Sequence, residues 1–465
     1  MLPAMSRVMR FIAFLTIAIA IGSAIESRSG LAQGPPNVAP ASAPQADSAA
    51  QARAAYRRAV AAYRAHDLGT ARMEMARAAD AWPTQQAYLD ASASLAARAR
   101  DTTAAARWLD RLATLGVGGD VARDTSWRAL VGAPAVDAAR SRLAAATAPM
   151  IRSRVRLSVA DSTLHPEGIA FDARTGRWFL SSVRERRIVA VGPDGTARDF
   201  VTPMADGIAG TFGMAVDSAR RVLWIATTSL ARMNGFTPAD SGRVGIFGYD
   251  LDSGRLVRNA WLPADGSADH TFGDVAVAPN GDVYASDSQA PWIVVLRAGS
   301  DSLVRLLTHP LFRSLQGMAI TPDGRTMYVA DYSHGLLRVD LGTRDVAMLG
   351  TPAGVTTLGV DGLYWDRGSL IGIQNGVTPP RVARFCLGGT GQTVRSVEIL
   401  DRNPTIADEP TLGVIARDSL YYVATSAWEK YDDSGRRVPG TTLRVPTVLG
   451  VALDRVRACR QPSDR

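Results

Sequence analysis

Oxygen-bearing side chains stand at a fixed place in a pattern that recurs through the larger, C-terminal part of this sequence. Six segments carry it: PEGIAFDARTGRWFLSS, TFGMAVDSARRVLWIATT, TFGDVAVAPNGDVYASDS, LQGMAITPDGRTMYVADY, VDGLYWDRGSLIGIQNG and TLGVIARDSLYYVATS. Each has a glycine near its start, an alternating apolar run, a turn, and a second run ending in small polar residues. The residue before the glycine is Glu167, Phe212, Phe272, Gln316, Asp361 or Leu412. Asp274 follows its glycine, and Asp287, Asp331, Gln374 and Asn375 close second runs. Brought together, these carboxylates and amides form a ring with no sulfur and little histidine. Such a donor set suits a hard cation, calcium or magnesium, better than a transition metal.

The elements that bring them together follow from the spacing. Gly168, Gly213, Gly273, Gly317, Gly362 and Gly413 are separated by 45, 60, 44, 45 and 51 residues, and six copies at this period predict six propeller blades. Each motif supplies the two inner strands of a blade, and segments such as RRIVAVGPDGTARDFV and HGLLRVDLGTRDVAML supply the outer two. In a propeller the starts of the innermost strands and the ends of the second strands point to one end of the central channel. The expected fold is therefore mainly β, a six-bladed β-propeller over residues 151–459.

The stretch from His165 to Val451 resembles the regucalcin, gluconolactonase and strictosidine-synthase-like propeller family, on the strength of Glu167 in PEGIAFD and Asp361 in VDGLYW. The resemblance implies a divalent metal, calcium as the first choice, held at the channel mouth by Glu167, Gln316 and Asp361, often in a lactone-hydrolysing site. Two departures stand out. Gln316 occupies a place where asparagine is usual, and Phe212-Gly213 replaces a polar pair that lines the substrate pocket in the second blade.

In a catalytic site of this kind the metal polarises an ester or lactone carbonyl, and Asp361, Asp274 or a histidine activates water. His270 in DHTFGD and His334 in DYSHG lie beside the channel-facing motifs and are the histidine candidates. His165 is read as orienting the loop before Glu167, His309 and His66 as turn residues, and Glu409 in DEPTLG as reaching the mouth from the sixth blade. No G-x-S-x-G, H-E-x-x-H, P-loop or dinucleotide fingerprint is present. Three readings compete: a metal-dependent hydrolase of a small lactone or ester, a non-catalytic propeller that binds a ligand or partner, and, last, a carbon–nitrogen bond former. A closed pocket over the carboxylates favours the enzyme, a wide flat mouth the scaffold.

Ahead of the propeller, residues 48–147 are rich in alanine, leucine and arginine, with apolar positions three and four apart, and predict an all-α domain. Tyr56 and Tyr63 share a face of a first helix, Asp67–Gly69 makes a turn, and Ala71 and Ala78 let a second helix pack closely before Pro83 ends it. Ala71, Ala78 and Pro83 resemble the second half of a tetratricopeptide repeat, AYLDASASLAARARDTTAAARWLDRLATLG resembles a degenerate second copy, and Trp127, Leu130, Val136 and Leu143 cap the stack. The resemblance implies either a docking surface for a protein partner or a structural prop.

At the N-terminus, Arg7 and Arg10 precede an apolar run from Phe11 to Ile25, with small residues at Gly30 and Ala32. Residues 1–32 read as a signal peptide, with an uncleaved anchor as the alternative, and 33–47 as a Pro/Ala-rich linker. The mature chain is then expected in the periplasm or secreted, and off the membrane. The net charge of +8 rests almost wholly on arginine, scattered among acidic residues without an aromatic platform, which argues against nucleic acid. Cys386 and Cys459 are the only cysteines; either they form one disulfide, suited to an oxidising compartment, or each is a small buried hydrophobe.

Overall fold

The computed structural model describes residues 43–119, 124–264, 270–453 and 459. The expected signal peptide and most of the expected linker lie outside them. The described residues form one unit. Among the described residues no helix is long and apolar enough to cross a membrane.

Among the described residues five α-helices come first: α1 (Ala43–Arg64), α2 (Leu68–Ala81), α3 (Gln86–Arg98), α4 (Thr102–Leu115) and α5 (Pro134–Thr147), each packed on the next. α1 begins five residues ahead of the expected boundary at Ser48. Asp67 caps α2 by accepting from the Thr70 N–H at 3.0 Å, and Asp101 caps α4 through Ala104, so one orphan donor of each first turn is not left to solvent. Ala71 and Ala78 are fully buried, as close packing requires. Tyr56 stacks on Tyr88 at 5.1 Å, whereas Tyr63, a full two turns on, lies at the helix end and is 40% exposed. Trp127, Leu130, Val136 and Leu143 are buried at the far end of the stack.

Twenty-four strands then make six four-stranded antiparallel sheets. Blade one is β2 (Ile169–Asp172), β3 (Arg177–Ser182), β4 (Arg187–Val191) and β5 (Ala197–Val201). Blade two is β6 (Gly210–Asp217), β7 (Val222–Thr228), β8 (Val244–Asp250) and β9 (Leu256–Trp261). Blade three is β10 (Phe272–Val277), β11 (Val283–Asp287), β12 (Trp292–Leu296) and β13 (Leu303–Thr308). Blade four is β14 (Leu315–Ile320), β15 (Thr326–Asp331), β16 (Gly335–Asp340) and β17 (Val346–Met348). Blade five is β18 (Val360–Asp366), β19 (Ser369–Gln374), β20 (Arg381–Leu387) and β21 (Val394–Arg402). Blade six joins β22 (Gly413–Ala416), β23 (Ser419–Val423) and β24 (Thr447–Ala452) to β1 (Arg154–Ser158), so its outermost strand comes from before blade one. The sequence pattern assigned no outermost strand to the sixth blade; the ring is closed by a pairing between its two ends.

Each pair of neighbouring blades shares an apolar core, from Phe179 and Phe247 between blades one and two to Ile371 and Leu449 between five and six. Emptying one such phenylalanine position to alanine costs about 3–5 kcal/mol. The recurring glycines mark where innermost strands crowd at the channel mouth. A Cβ on Gly213 would lie 2.3 Å from Asp274 Oδ1, and one on Gly317 2.5 Å from the Asp361 carbonyl. Cys386 and Cys459 form a disulfide that ties Cys459, near the C-terminus, to blade five.

The helical region sits on blades four and five, at the mouth end of the channel. Helix C-termini leave carbonyls without partners, and two propeller arginines supply donors. Arg381 Nη1 donates to the Leu115 carbonyl at 3.0 Å, and Arg402 Nε to the Ala148 carbonyl at 2.8 Å. Arg381 is 4% exposed and its Nε also donates to Gln374 Oε1 at 2.7 Å. Desolvation beside Arg402 lowers the proton affinity of its guanidinium, to a pKa of about 10, without approaching neutrality.

Candidate functional site

Glu167 opens blade one. Its backbone carbonyl accepts from Thr411 Oγ1 at 2.9 Å and from the Leu412 N–H at 3.2 Å, so blade six fixes where its side chain begins. The carboxylate is buried, and Oε2 accepts the indole N–H of Trp428. Burial, then Asp361, Glu409 and Asp274, push its pKa well above the ordinary value. Asp361, opening blade five, is also buried and is raised to about 6 by desolvation. Asp274 is raised to about 7 by burial, against N–H groups of Val275 and Met318 that favour its charged form. Glu409 is raised to about 7, first by burial and then by Glu429, Asp361 and Asp408. Four carboxyl groups are thus gathered closely enough to resist one another's ionisation.

Neutral groups hold this cluster. Asn375 Nδ2 donates to Asp361 Oδ2 at 2.6 Å and to the Pro410 carbonyl at 2.9 Å, while its Oδ1 accepts from Tyr332 OH at 3.0 Å. Asn375 therefore orients Asp361 and its amide oxygen is spent on Tyr332. Tyr364 OH accepts from the Gly413 N–H. Below the mouth, Asp274 and Tyr364 line one end of a cavity of about 530 Å3 that runs along the innermost strands to the turns at Ala173, Ser218 and Arg417.

The other sequence candidates are placed differently. Asp287 Oδ1 accepts the N–H groups of Thr271, Gln289 and Ala290, and its Oδ2 pairs with His270 Nδ1 at 2.6 Å. Asp331 accepts from the N–H groups of Arg313, Ser314, Ser333 and His334. Gln374 donates to the carbonyls of Thr356 and Leu358. These three were expected to add oxygens to the mouth; they cap loops instead, because second-strand ends face the turns that follow them. Gln316 donates to Ser314 Oγ at 3.3 Å, and its Oε1 lies against Gly273. Phe212 and Phe272 fill the core between blades two and three. His334 meets the helical region: Nε2 is 2.7 Å from Arg53 Nη1 and the ring stacks on Trp82.

A strap that the sequence pattern did not single out crosses the mouth between β23 and β24. Its Trp428 and Tyr431 interleave with side chains of the body in the order Arg184, Tyr431, His165, Trp428, Arg232. The guanidiniums lie 4.5 and 4.8 Å from their rings, and His165 is 5.7 Å from Tyr431 and 4.7 Å from Trp428. His165 is fully buried, and desolvation, then Arg232 and Arg184, lower its pKa to about 3. The strap thus lies on the mouth beside Glu167, while the helical region meets the same end of the propeller at the blade four and blade five loops around His334 and Thr378. Only the isolated pair of aromatics in SAWEKYDD could have signalled the strap.

The groups that could hold a hard cation are Glu167, Asp361 and Gln316. Their donors are oxygen alone, and among the described residues no basic side chain is hydrogen-bonded to either carboxylate. Among the described residues no three or more of histidine, cysteine, aspartate and glutamate stand close enough together to hold a metal by themselves, so an amide or a substrate oxygen is needed to complete a set.

No curated protein matches the chain. Among solved structures it is similar to a gluconolactonase of Xanthomonas campestris (18% identity, TM-score 0.43, 66% of this chain and 92% of that one). It is similar also to the PQQ-bound aldose sugar dehydrogenase of Streptomyces coelicolor (15%, 0.43, 66% and 99%) and to virginiamycin B lyase of Staphylococcus aureus (13%, 0.42, 59% and 82%). Residues 165–366, from the start of blade one into blade five, match the SMP-30/gluconolactonase/LRE-like region, the family to which Glu167 and Asp361 pointed.

Proposed function

We propose that this protein is an exported hydrolase of a small lactone or ester, working at the propeller mouth with a divalent cation, calcium first, held by Glu167, Asp361 and Gln316. The observation that carries the reading is the burial of Glu167, Asp274 and Asp361 at the mouth with the half-buried Glu409 beside them, an arrangement that costs stability unless a positive charge compensates it. The family match over residues 165–366 supports the same reaction class. The Cys386–Cys459 disulfide supports an oxidising compartment.

When bound, the cation would supply a Lewis acid to polarise the carbonyl of the substrate. The chain's own residues do the rest. Asn375, steadied by Tyr332, fixes the rotamer of Asp361, and Trp428 fixes that of Glu167 while excluding water from it. Asp274, with a pKa of about 7, is matched to taking a proton from water near neutrality. His270, oriented by Asp287, is the second candidate base. His334 is committed to Arg53 and Leu311 and is assigned no chemical step.

The deciding experiment is a calcium titration by calorimetry on the wild type and on Asp361→Ala, followed by hydrolysis assays on a panel of lactones and esters. Saturable binding lost in the variant, with cation-dependent turnover in the wild type, is expected. Absence of binding in the wild type overturns the metal hydrolase. Phe212, packed into the core, leaves the position before the blade-two glycine without a polar group, which favours the alternative of a non-catalytic ligand-binding propeller; binding without turnover across the panel would select it.

A further inference from the structure

The contact between the helical region and the propeller has two chemically unlike halves. Toward blade five the helices are joined by permanent donors to amide or carbonyl oxygens: Arg381 to Leu115, Arg402 to Ala148, the Gly118 N–H to the Thr378 carbonyl at 2.6 Å, and the Thr378 N–H to Gln86 Oε1 at 2.9 Å. None of these acceptors gains a proton near neutrality.

Toward blade four the link is a histidine. His334 Nδ1 lies 2.8 Å from the Leu311 carbonyl, which can only accept, so the ring carries its proton there. Nε2 is then the acceptor for Arg53 Nη1 of α1, at 2.7 Å. Trp82, at the end of α2, stacks on the ring at 5.7 Å with Arg53 lying over its indole at 5.9 Å. His334 is 6% exposed.

We propose that the helical region is a hinged cover of the channel mouth, fixed to blade five by Arg381 and Arg402 and latched to blade four by the Arg53–His334 contact, which opens when His334 takes a second proton. That proton removes the acceptor and sets an imidazolium against a guanidinium. The groups facing the ring are Arg53, with Arg57 and Tyr88 behind it, from the helices, Arg313 from the loop before β14, and Asp331 from β15. Asp331 favours the charged ring, but its oxygens are already shared among four backbone N–H groups. Burial and the guanidiniums of Arg53 and Arg313 prevail and hold the imidazole below its ordinary value. The latched state therefore binds fewer protons than the released one. Latching is at full strength above about pH 6.5 and weakens as pH falls, by up to about tenfold per pH unit.

The two loops that the helices grip are the ones that position the site. Tyr332, two residues before His334, and Asn375, three before Thr378, hold Asp361. Release of the latch exposes the carboxylate cluster; the inference rests on the hydrolase reading only for what that exposure serves.

The test is hydrogen–deuterium exchange of the full chain at pH 7.5 and pH 5.0, corrected for the intrinsic exchange rate. Exchange in α1 and α2 is expected to accelerate about tenfold or more at pH 5.0 relative to α4 and α5. In His334→Gln, which offers Arg53 an acceptor that cannot titrate, the acceleration is expected to vanish. Arg53→Ala is expected to leave α1 and α2 fast at both pH values. No acceleration in the wild type, or the same acceleration in His334→Gln, overturns the latch. Because the readout is backbone exchange, failure to hydrolyse any lactone leaves the result standing, and loss of the pH response leaves the hydrolase reading standing.

Discussion

Asp331 and Asp361 are aspartates at the same end of the same channel, one closing the second strand of a blade and the other next to the opening of the first strand of its neighbour. Asp331 is surrounded by four backbone N–H groups and the Ser333 hydroxyl. Asp361 has one neutral amide, from Asn375, and carboxylates nearby. Both are buried. The lesson is that burial of an acid becomes a functional signal only after its hydrogen bonds are accounted for: the first is structural glue, and the second is a charge that the fold by itself leaves poorly compensated.

The sharpest way to break the comparison is to remove each acid in turn. Asp331→Ala strands four backbone donors and is expected to cost about 3–5 kcal/mol, read as a large fall in the thermal midpoint and in the denaturant midpoint. Asp361→Asn is expected to do the reverse in cation-free protein, raising stability at pH 7.5 by about 1–2 kcal/mol while abolishing calcium binding. The sign follows from a folded pKa above the unfolded one. Between about pH 4 and 6 the folded state holds a proton that the unfolded state has released, so the Asp361 contribution to stability falls as pH rises through that window. The gain in Asp361→Asn is therefore expected at pH 7.5 and absent at pH 4; equal gains at both would show that charge is not the cause. Smallest is Trp428→Phe, which keeps the stack between His165 and Arg232 but removes the N–H to Glu167. A severalfold weakening of calcium affinity with a thermal midpoint within a few degrees of wild type is expected; an unchanged affinity would separate the strap from the site.

What the sequence revealed and what it concealed divide along a physical line. The glycines were legible because crowding at the mouth forbids a Cβ at Gly213 and Gly317, and such a constraint repeats with each blade. Glu167 and Asp361 were legible because they stand one residue before two other glycines of the same repeat, Gly168 and Gly362. The functions of Asp287 and Asp331 were not, since a capping carboxylate and a free one are the same letter. Nor was the strap, whose Trp428 and Tyr431 find their partners in blades one and two. Arg381 and Arg402 looked like surface charge. Their partners are carbonyls at the ends of helices more than two hundred residues earlier, and no local pattern encodes that pairing. The outer strand of blade six was missed for the same reason: RVRLS pairs with a segment at the other end of the chain.

That last pairing orders events in time. A chain emerging from its N-terminus can complete blades one to five as each is delivered, but β1 waits for β24, and only then does the ring become a closed object. Until it does, β23 and β1 each expose an unsatisfied edge, and the innermost strands of blades one and six face solvent across a gap. The helical region is attached immediately before β1, so the strand that seals the propeller is carried by the same stretch of backbone that bears the cover. Completion of the channel mouth and closure of the ring are for this protein expected to be a single late step, and a nascent chain halted before Thr447 would be an open arc.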